Sequence, residues 1–313
     1  MKKIILILTI TFFLNGCTNN QHITISREQK IPTTTIKITS AIDIYPPILH
    51  SNEFKEPIPV PGSVNTAGTE DSSFVTPDGN TLYFFFTPDP KIPPQLQVLD
   101  QITGIYVAQK IDDQWQQVKR VVLHKPGKLS LDGCEFVQGD TMWFCSAREG
   151  YTGMNFFTAE LKNGQWKNWK HVGDKLTKQY KMGEMHINDN GDELYFHSLR
   201  EGGKGNYDIW MSKKQNGEWQ TPENIIAVNS IEHDGWPYIN KQGDELWFNR
   251  TYSGSPAIFK SKKIDGQWQK PELIVSQFAG EPSLDDQGNL YFTHHYYKNS
   301  QMLEADIFVA YKK

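Results

Sequence analysis

The sequence predicts an all-β chain: a five-bladed β-propeller with four antiparallel strands per blade, its last blade closed by an N-terminal strand. Three observations predict it. One unit recurs five times between residues 54 and 313. Every unit alternates aromatic and β-branched runs with turns rich in Gly, Asn or Asp, the pattern of strands joined by hairpins. The fourth run, absent from the last copy, stands ahead of the first, which is how a ring of sheets closes and loses its open edges.

The clearest copy opens with Gly183-Glu184-Met185-His186-Ile187, turns at Asp189-Asn190-Gly191-Asp192 and continues as Leu194-Tyr195-Phe196-His197-Ser198. It loops through Glu201-Gly202-Gly203, resumes as Asp208-Ile209-Trp210-Met211-Ser212 and, after Asn216-Gly217, ends on Trp219. The second strand recurs as Leu82-Tyr83-Phe84, Met142-Trp143-Phe144, Leu194-Tyr195-Phe196, Leu246-Trp247-Phe248 and Leu290-Tyr291-Phe292. The third recurs around Ile105-Tyr106, Phe156-Phe157, Ile209-Trp210, Ile258-Phe259 and Ile307-Phe308. The fourth opens with Trp115, Trp166, Trp219 and Trp268, spaced 51, 53 and 49 residues apart, one blade each, with the Trp expected between blades. The fifth copy stops at Tyr311-Lys312-Lys313, whereas Phe54-Lys55-Glu56-Pro57 matches Trp219-Gln220-Thr221-Pro222, so Phe54 to Val60 is read as the missing outer strand.

With Pro77-Asp78-Gly79, Arg200-Glu201-Gly202-Gly203 and Asp208-Ile209-Trp210 in these places, the chain resembles the WD40-like β-propeller repeat family of the TolB type over roughly residues 54 to 313. The resemblance implies the fold. It leaves function open, because propellers host binding, scaffolding and catalysis alike.

The N-terminus carries Lys2-Lys3, an apolar run from Ile4 to Leu14, and Leu14-Asn15-Gly16-Cys17. A short basic start before such a run reads as a secretion signal, too short to span a bilayer. The Cys after Gly16 makes it resemble a bacterial lipoprotein signal, implying a lipid on Cys17 and a membrane anchor; Thr18 in place of Asp implies the outer membrane, facing periplasm or cell surface. The expected organisation is residues 1–16 as signal peptide, 17–50 as lipidated Cys and polar tether, and 51–313 as propeller. Loss of residues 1–16 leaves 30 basic against 36 acidic residues, which argues against nucleic acid as a partner.

If Gly139-Asp140 is a two-residue turn, Cys134 faces Cys145 across a strand pair, as a disulfide or as two buried thiols. Aligning the turn glycines sets Ser72 against Phe85, Glu184 against His197, Trp236 against Asn249 and Glu281 against His294 in the other blades. All would sit near one mouth of the central tunnel, with His186, Arg148, Arg200, Arg250, Glu232, His233, Asp234 and His295 close by in sequence. The candidate ligand-binding residues are therefore Glu184, His186, His197, Arg200, Glu281 and His294. Carboxylate and imidazole in that pattern suit a polar ligand or a divalent metal; the alternative is that each Glu and His pair stabilises its own blade. No cofactor is otherwise expected, and no nucleophile triad, phosphate loop or Cys-His zinc signature is present.

The function expected is a non-catalytic binding module for an envelope protein, peptide or glycan. A carbohydrate-active hydrolase or lyase at the tunnel mouth is the alternative, with Glu184 and Glu281 as flanking acids. The insertion Pro88-Asp89-Pro90-Lys91-Ile92-Pro93-Pro94 and His295-Tyr296-Tyr297 fall in loops at the same mouth, where partners dock.

Overall fold

A computed structural model describes residues 26–125 and 127–313. Five antiparallel meanders follow one another along the chain. The first runs Thr69–Val75, Thr81–Thr87, Gly104–Ile111 and Gln114–Arg120; the second Ser130–Gln138, Thr141–Arg148, Asn155–Lys162 and Gln165–His171. The third runs Met182–Ile187, Glu193–Ser198 and Asp208–Gln215, edged by the short strands Glu218–Trp219 and Glu223–Asn224. The fourth runs Asp234–Ile239, Glu245–Tyr252 and Ser255–Ile264, edged by Gln267–Trp268 and Glu272–Ser276. The fifth runs Ala279–Leu284, Leu290–Lys298 and Gln301–Ala310. Its outer strand comes from the other end of the chain: Ile58 opposes Val309, Pro59 opposes Phe308, and Phe54 bridges to Lys312.

The hairpin turns form where Asn and Asp side chains replace backbone partners. Asn188 Oδ1 accepts the N–H groups of Asp192 and Glu193, and Asn240 Oδ1 does the same for Asp244 and Glu245.

The inner strands touch in cyclic order, each meeting the next and the fifth meeting the first; a single parallel bridge, Ala305 to Thr69, joins the fifth and first meanders. The fold is all-β and propeller-like. Outer-strand aromatics pack edge-on against second-strand aromatics of the preceding meander: Trp166 on Tyr83 at 6.2 Å, Trp268 on Tyr195 at 6.2 Å and Phe54 on Trp247 at 6.0 Å. Trp115 on Tyr291, at 6.1 Å, repeats the joint between the first meander and the last. Such pairs add about 0.5–1.5 kcal/mol each beyond the area they bury.

Every inner strand is bulged at one equivalent point, between Asp71 and Phe74, Gly133 and Phe136, Met182 and Met185, Gly235 and Tyr238, and Gly280 and Ser283. Four of the bulged residues, Ser72, Cys134, Trp236 and Glu281, have φ of 50°, 53°, 51° and 56°. A bulge re-aims side chains. Here it turns three successive residues of each strand toward a shared central cavity.

Of the stretch read as a tether, residues 26–50 make specific contacts with the sheets. Arg27, 4% exposed, pairs with buried Glu70 at 2.8 Å and lies over the Phe86 ring. Lys37 pairs with Glu304 and Asp306, and Ile48–Leu49 adds a strand beside Glu272–Ser276. Residues 1–16, read as a signal peptide, and Cys17 lie outside the described residues. No helix among the described residues is long and apolar enough to cross a membrane.

Candidate functional site

One cavity of about 50 Å³ is lined by the same three positions of all five inner strands: Ser72–Phe74, Cys134–Phe136, Glu184–His186, Trp236–Tyr238 and Glu281–Ser283. Its inner end is closed by rings. His186 lies 4.5 Å from the Tyr238 ring and 4.8 Å from the Phe136 ring, and its Nδ1 accepts the Ile239 N–H at 3.3 Å. Burial drives its imidazole down to about 3, so it is neutral. It separates this cavity from a hollow of about 200 Å³ on the hairpin-turn side, which it also lines.

His197, 6% exposed, serves the bulge of the fourth inner strand. Its Nδ1 accepts the Trp236 N–H at 3.1 Å, so Nε2 carries the proton and cannot also accept from the Glu184 N–H, 3.4 Å away. Burial also takes His197 down to about 3. The next meanders continue the device: Asn249 Oδ1 accepts the Glu281 N–H at 2.7 Å, and Glu281 Oε2 accepts the Ser72 N–H at 2.7 Å. Side chains thus satisfy the backbone donors that the bulges leave open.

The expected pairing of Glu281 with His294 does not form. Thr293 opposes Gly280 and holds the position matching His197 and Asn249, while His294 opposes Ala279. The turn Asp285–Asn289 is one residue shorter than Asn188–Glu193, and a one-residue slip moves a side chain to the opposite sheet face. His294 is fully buried on that other face, where Nε2 lies 3.0 Å from Asp43 Oδ2 in the N-terminal stretch.

His295 takes the place expected of His294, and with it comes Asp71. One ligand atom each of Asp71, Glu281 and His295 lies within 4.8 Å of the other two, the geometry of a group able to hold a metal. His295 Nε2 is 3.1 Å from Asp71 Oδ1, and its Nδ1 is 3.3 Å from the Phe278 carbonyl oxygen. Burial pushes Asp71 up, but the His295 charge and hydrogen bonds from His295, Glu281 and the Ser72 N–H outweigh it and hold the carboxyl below the ordinary range. Glu281 is pushed well up by burial, then by the Asp71 charge and hydrogen bond and by Glu184. Glu184 rises to about 8 through burial and the Asp71 charge. Glu135, 5% exposed, is raised by burial and then by Glu184, Asp71 and Asp132. The cluster is an acid-rich chamber short of positive charge.

Arg200 stands apart from it. Its guanidinium lies 4.7 Å over the Trp210 ring, while Arg148 bonds Asp132 at 2.6 Å and the Leu123 carbonyl, and Arg250 bonds Asp234 at 2.6 Å and the Val228 carbonyl. Arg148 and Arg250 tie loop carbonyls to their own meanders, whereas Arg200 stacks on Trp210. Cys134 and Cys145 are joined by a disulfide with Cα atoms 5.3 Å apart; Gly133, not Cys134, opposes Cys145, because Cys134 is the bulged residue.

Asp71 and Glu135 escaped the repeat-based reading. Asp71 stands where the other four strands have Gly133, Gly183, Gly235 and Gly280, and Glu135 where they have Ser73, Met185, Pro237 and Pro282. The departure from the repeat was the available signal.

A second concavity, of about 480 Å³, lies between the N-terminal stretch and the loops of the first and fifth meanders. Ile36, Ile38, Ile42, Ile44, Pro88, Pro90, Tyr297 and Leu303 give it apolar walls, and Lys91 and Lys298 a polar rim. Ile36, Ile42 and Ile44 are 78%, 56% and 63% exposed.

No protein-family model and no curated protein matches the chain. Among solved structures it is similar to a putative TolB from Agrobacterium tumefaciens, at 14% identity and a TM-score of 0.45 over 81% of this chain and 78% of that one. TolB from Acinetobacter baumannii is similar at 12% identity and a TM-score of 0.43, over 79% of this chain and 55% of that one. The Bacteroides ovatus xyloglucan PUL GH43B is similar at 13% identity and a TM-score of 0.49, over 81% and 54%. The chain spans about half the length of the last two, and the likeness is one of fold alone.

Proposed function

We propose that the chain is a five-bladed β-propeller of the bacterial cell envelope, lipid-anchored through Cys17, acting as a non-catalytic binding module. Of the partners the sequence allows (protein, peptide or glycan), an extended peptide fits best. The cyclic contacts of five meanders and the repeated Trp joints support the five-blade reading. The Cys134–Cys145 disulfide fits an exported, oxidising compartment.

The observation that carries the reading is the contrast between the two concavities. Ligand pockets span about 300–1,000 Å³; the hollow beside the N-terminal stretch has 480 Å³, the central cavity 50 Å³, room for an ion or a few waters. Exposed isoleucines grouped beside a hollow mark a docking surface, and an extended peptide supplies apolar side chains for its walls and backbone groups for its rim. Selection of peptides from a random library on the full chain, followed by calorimetry of a purified peptide, tests this. Sequences with apolar residues should emerge and bind the double variant Ile42→Asp/Ile44→Asp at least about tenfold more weakly.

A hydrolase or lyase has one observation in its favour. Asp71 and Glu281 are neighbouring carboxyls driven apart in proton affinity, the usual arrangement for an acid and its conjugate partner. Turnover of a polysaccharide that falls by at least about 10²-fold in Glu281→Gln would establish that reading in place of ours.

A further inference from the structure

We propose that the mouth of the central cavity binds a divalent transition-metal ion of the zinc or manganese type, held by His295 Nε2 and by carboxylate oxygens of Asp71 and Glu281. The site is separate from the peptide hollow and does not rest on that function.

The His295 ring is the first ground. The Phe278 carbonyl oxygen, 3.3 Å from Nδ1, can only accept, so Nδ1 carries a proton. Nε2 then faces a second acceptor, Asp71 Oδ1, at 3.1 Å. A neutral ring cannot satisfy both, so Nε2 holds either a second proton, which pairs the imidazolium with Asp71, or a metal ion that takes that proton's place. An imidazole anchored through Nδ1–H to a carbonyl presents its other nitrogen as a metal ligand, and the anchor sets its orientation.

Glu135 supplies an independent ground. It is 5% exposed, lines the same cavity, and neither of its carboxylate oxygens has a partner among the described residues. Glu135, Glu184 and Glu281 line one cavity, with Asp71 and His295 against Glu281 at its edge, and buried carboxylates persist when paired or when they face a metal.

Geometry and donor chemistry select the ion. The three ligand atoms lie within 4.8 Å of one another. Bonds of about 2.1 Å in a tetrahedral site set ligand atoms about 3.4 Å apart, so side-chain rotations that move the widest pair by an ångström or so close the site. A nitrogen donor beside carboxylates suits zinc or manganese, whereas calcium and magnesium prefer oxygen alone. Ser72 helps to hold the ligands: its N–H donates to Asp71 Oδ1 at 3.0 Å and to Glu281 Oε2 at 2.7 Å, and its hydroxyl to Glu281 Oε1 at 3.3 Å.

The experiment is calorimetric titration of zinc chloride, and separately manganese chloride, into the full chain after stripping with a chelator, with elemental analysis of the product. One equivalent should bind and raise the melting temperature. Binding should weaken at least about tenfold in His295→Ala and Glu281→Gln and stay unchanged in His171→Ala, a histidine outside the cavity. Circular dichroism without metal establishes that each variant is folded; should His295→Ala fail that check, Glu135→Gln replaces it and must weaken binding several-fold. Absence of stoichiometric binding, binding indifferent to these substitutions, or uptake of calcium alone would overturn the proposal.

Discussion

Glycine precedes the bulge at positions 133, 183, 235 and 280, and the reason is the side chain standing opposite or beside it. A Cβ on Gly183 would lie 2.0 Å from His197 Nε2, and one on Gly280 would lie 2.5 Å from Asn249 Nδ2. Gly183→Ala should therefore destabilise the fold by about 1–3 kcal/mol, read as a lower unfolding free energy in urea, because His197 must move and abandon the Trp236 N–H it accepts. This explains how the candidate residues divide. Those that obey the repeat, His197 and Asn249, serve the backbone; those that break it, Asp71 and Glu135, build the acid chamber. A reading that searches for likeness between copies finds the first kind and passes over the second. His294 was misplaced for a related reason, since aligning turn glycines conceals the residue missing after Gly288.

At the scale of elements, the N-terminal strand is fastened by charge as well as by pairing. Lys260, 1% exposed, bonds Glu53 at 2.7 Å, and Lys312 bonds the other Glu53 oxygen at 2.5 Å. Burial pushes Glu53 up, but the two lysines prevail and hold it at about 2, below its ordinary 4.5. A depressed carboxyl contributes stability above its unfolded value and loses it as pH falls toward the folded one. The stability difference between wild type and Glu53→Gln should thus be full above pH 4.5 and vanish by pH 2, as followed by urea titrations across that window. At neutral pH the substitution should cost about 1–3 kcal/mol, because Lys260 keeps only Glu245, at 3.9 Å. The Phe54 motif made this strand legible in the sequence. The contacts of Arg27, Lys37 and Asp43 were not legible, since isolated charged residues in a polar stretch carry no period.

For the whole molecule, the repeat made the fold readable because the same four-strand pattern recurs five times at near-constant spacing and the chain ends complement one another. The joint between first and last meanders, Trp115 on Tyr291, is where that ring must hold. Trp115 is 1% exposed, so Trp115→Ala should cost about 3–5 kcal/mol and lower the midpoint of unfolding. Function was less readable. Polar residues gathered at a tunnel mouth resemble a site whether they serve a ligand or the backbone, and only their partners distinguish the two. The hollow beside Ile42 arises where residues far apart in sequence meet, so no motif announces it.

The most direct test of the central claim is one calorimetric series in which a selected peptide is titrated into wild type, Ile42→Asp/Ile44→Asp and Glu281→Gln. The account predicts at least about tenfold weaker binding in the double variant and no change in Glu281→Gln. Unchanged binding in the double variant, with loss in Glu281→Gln, would contradict it and move the function to the central cavity.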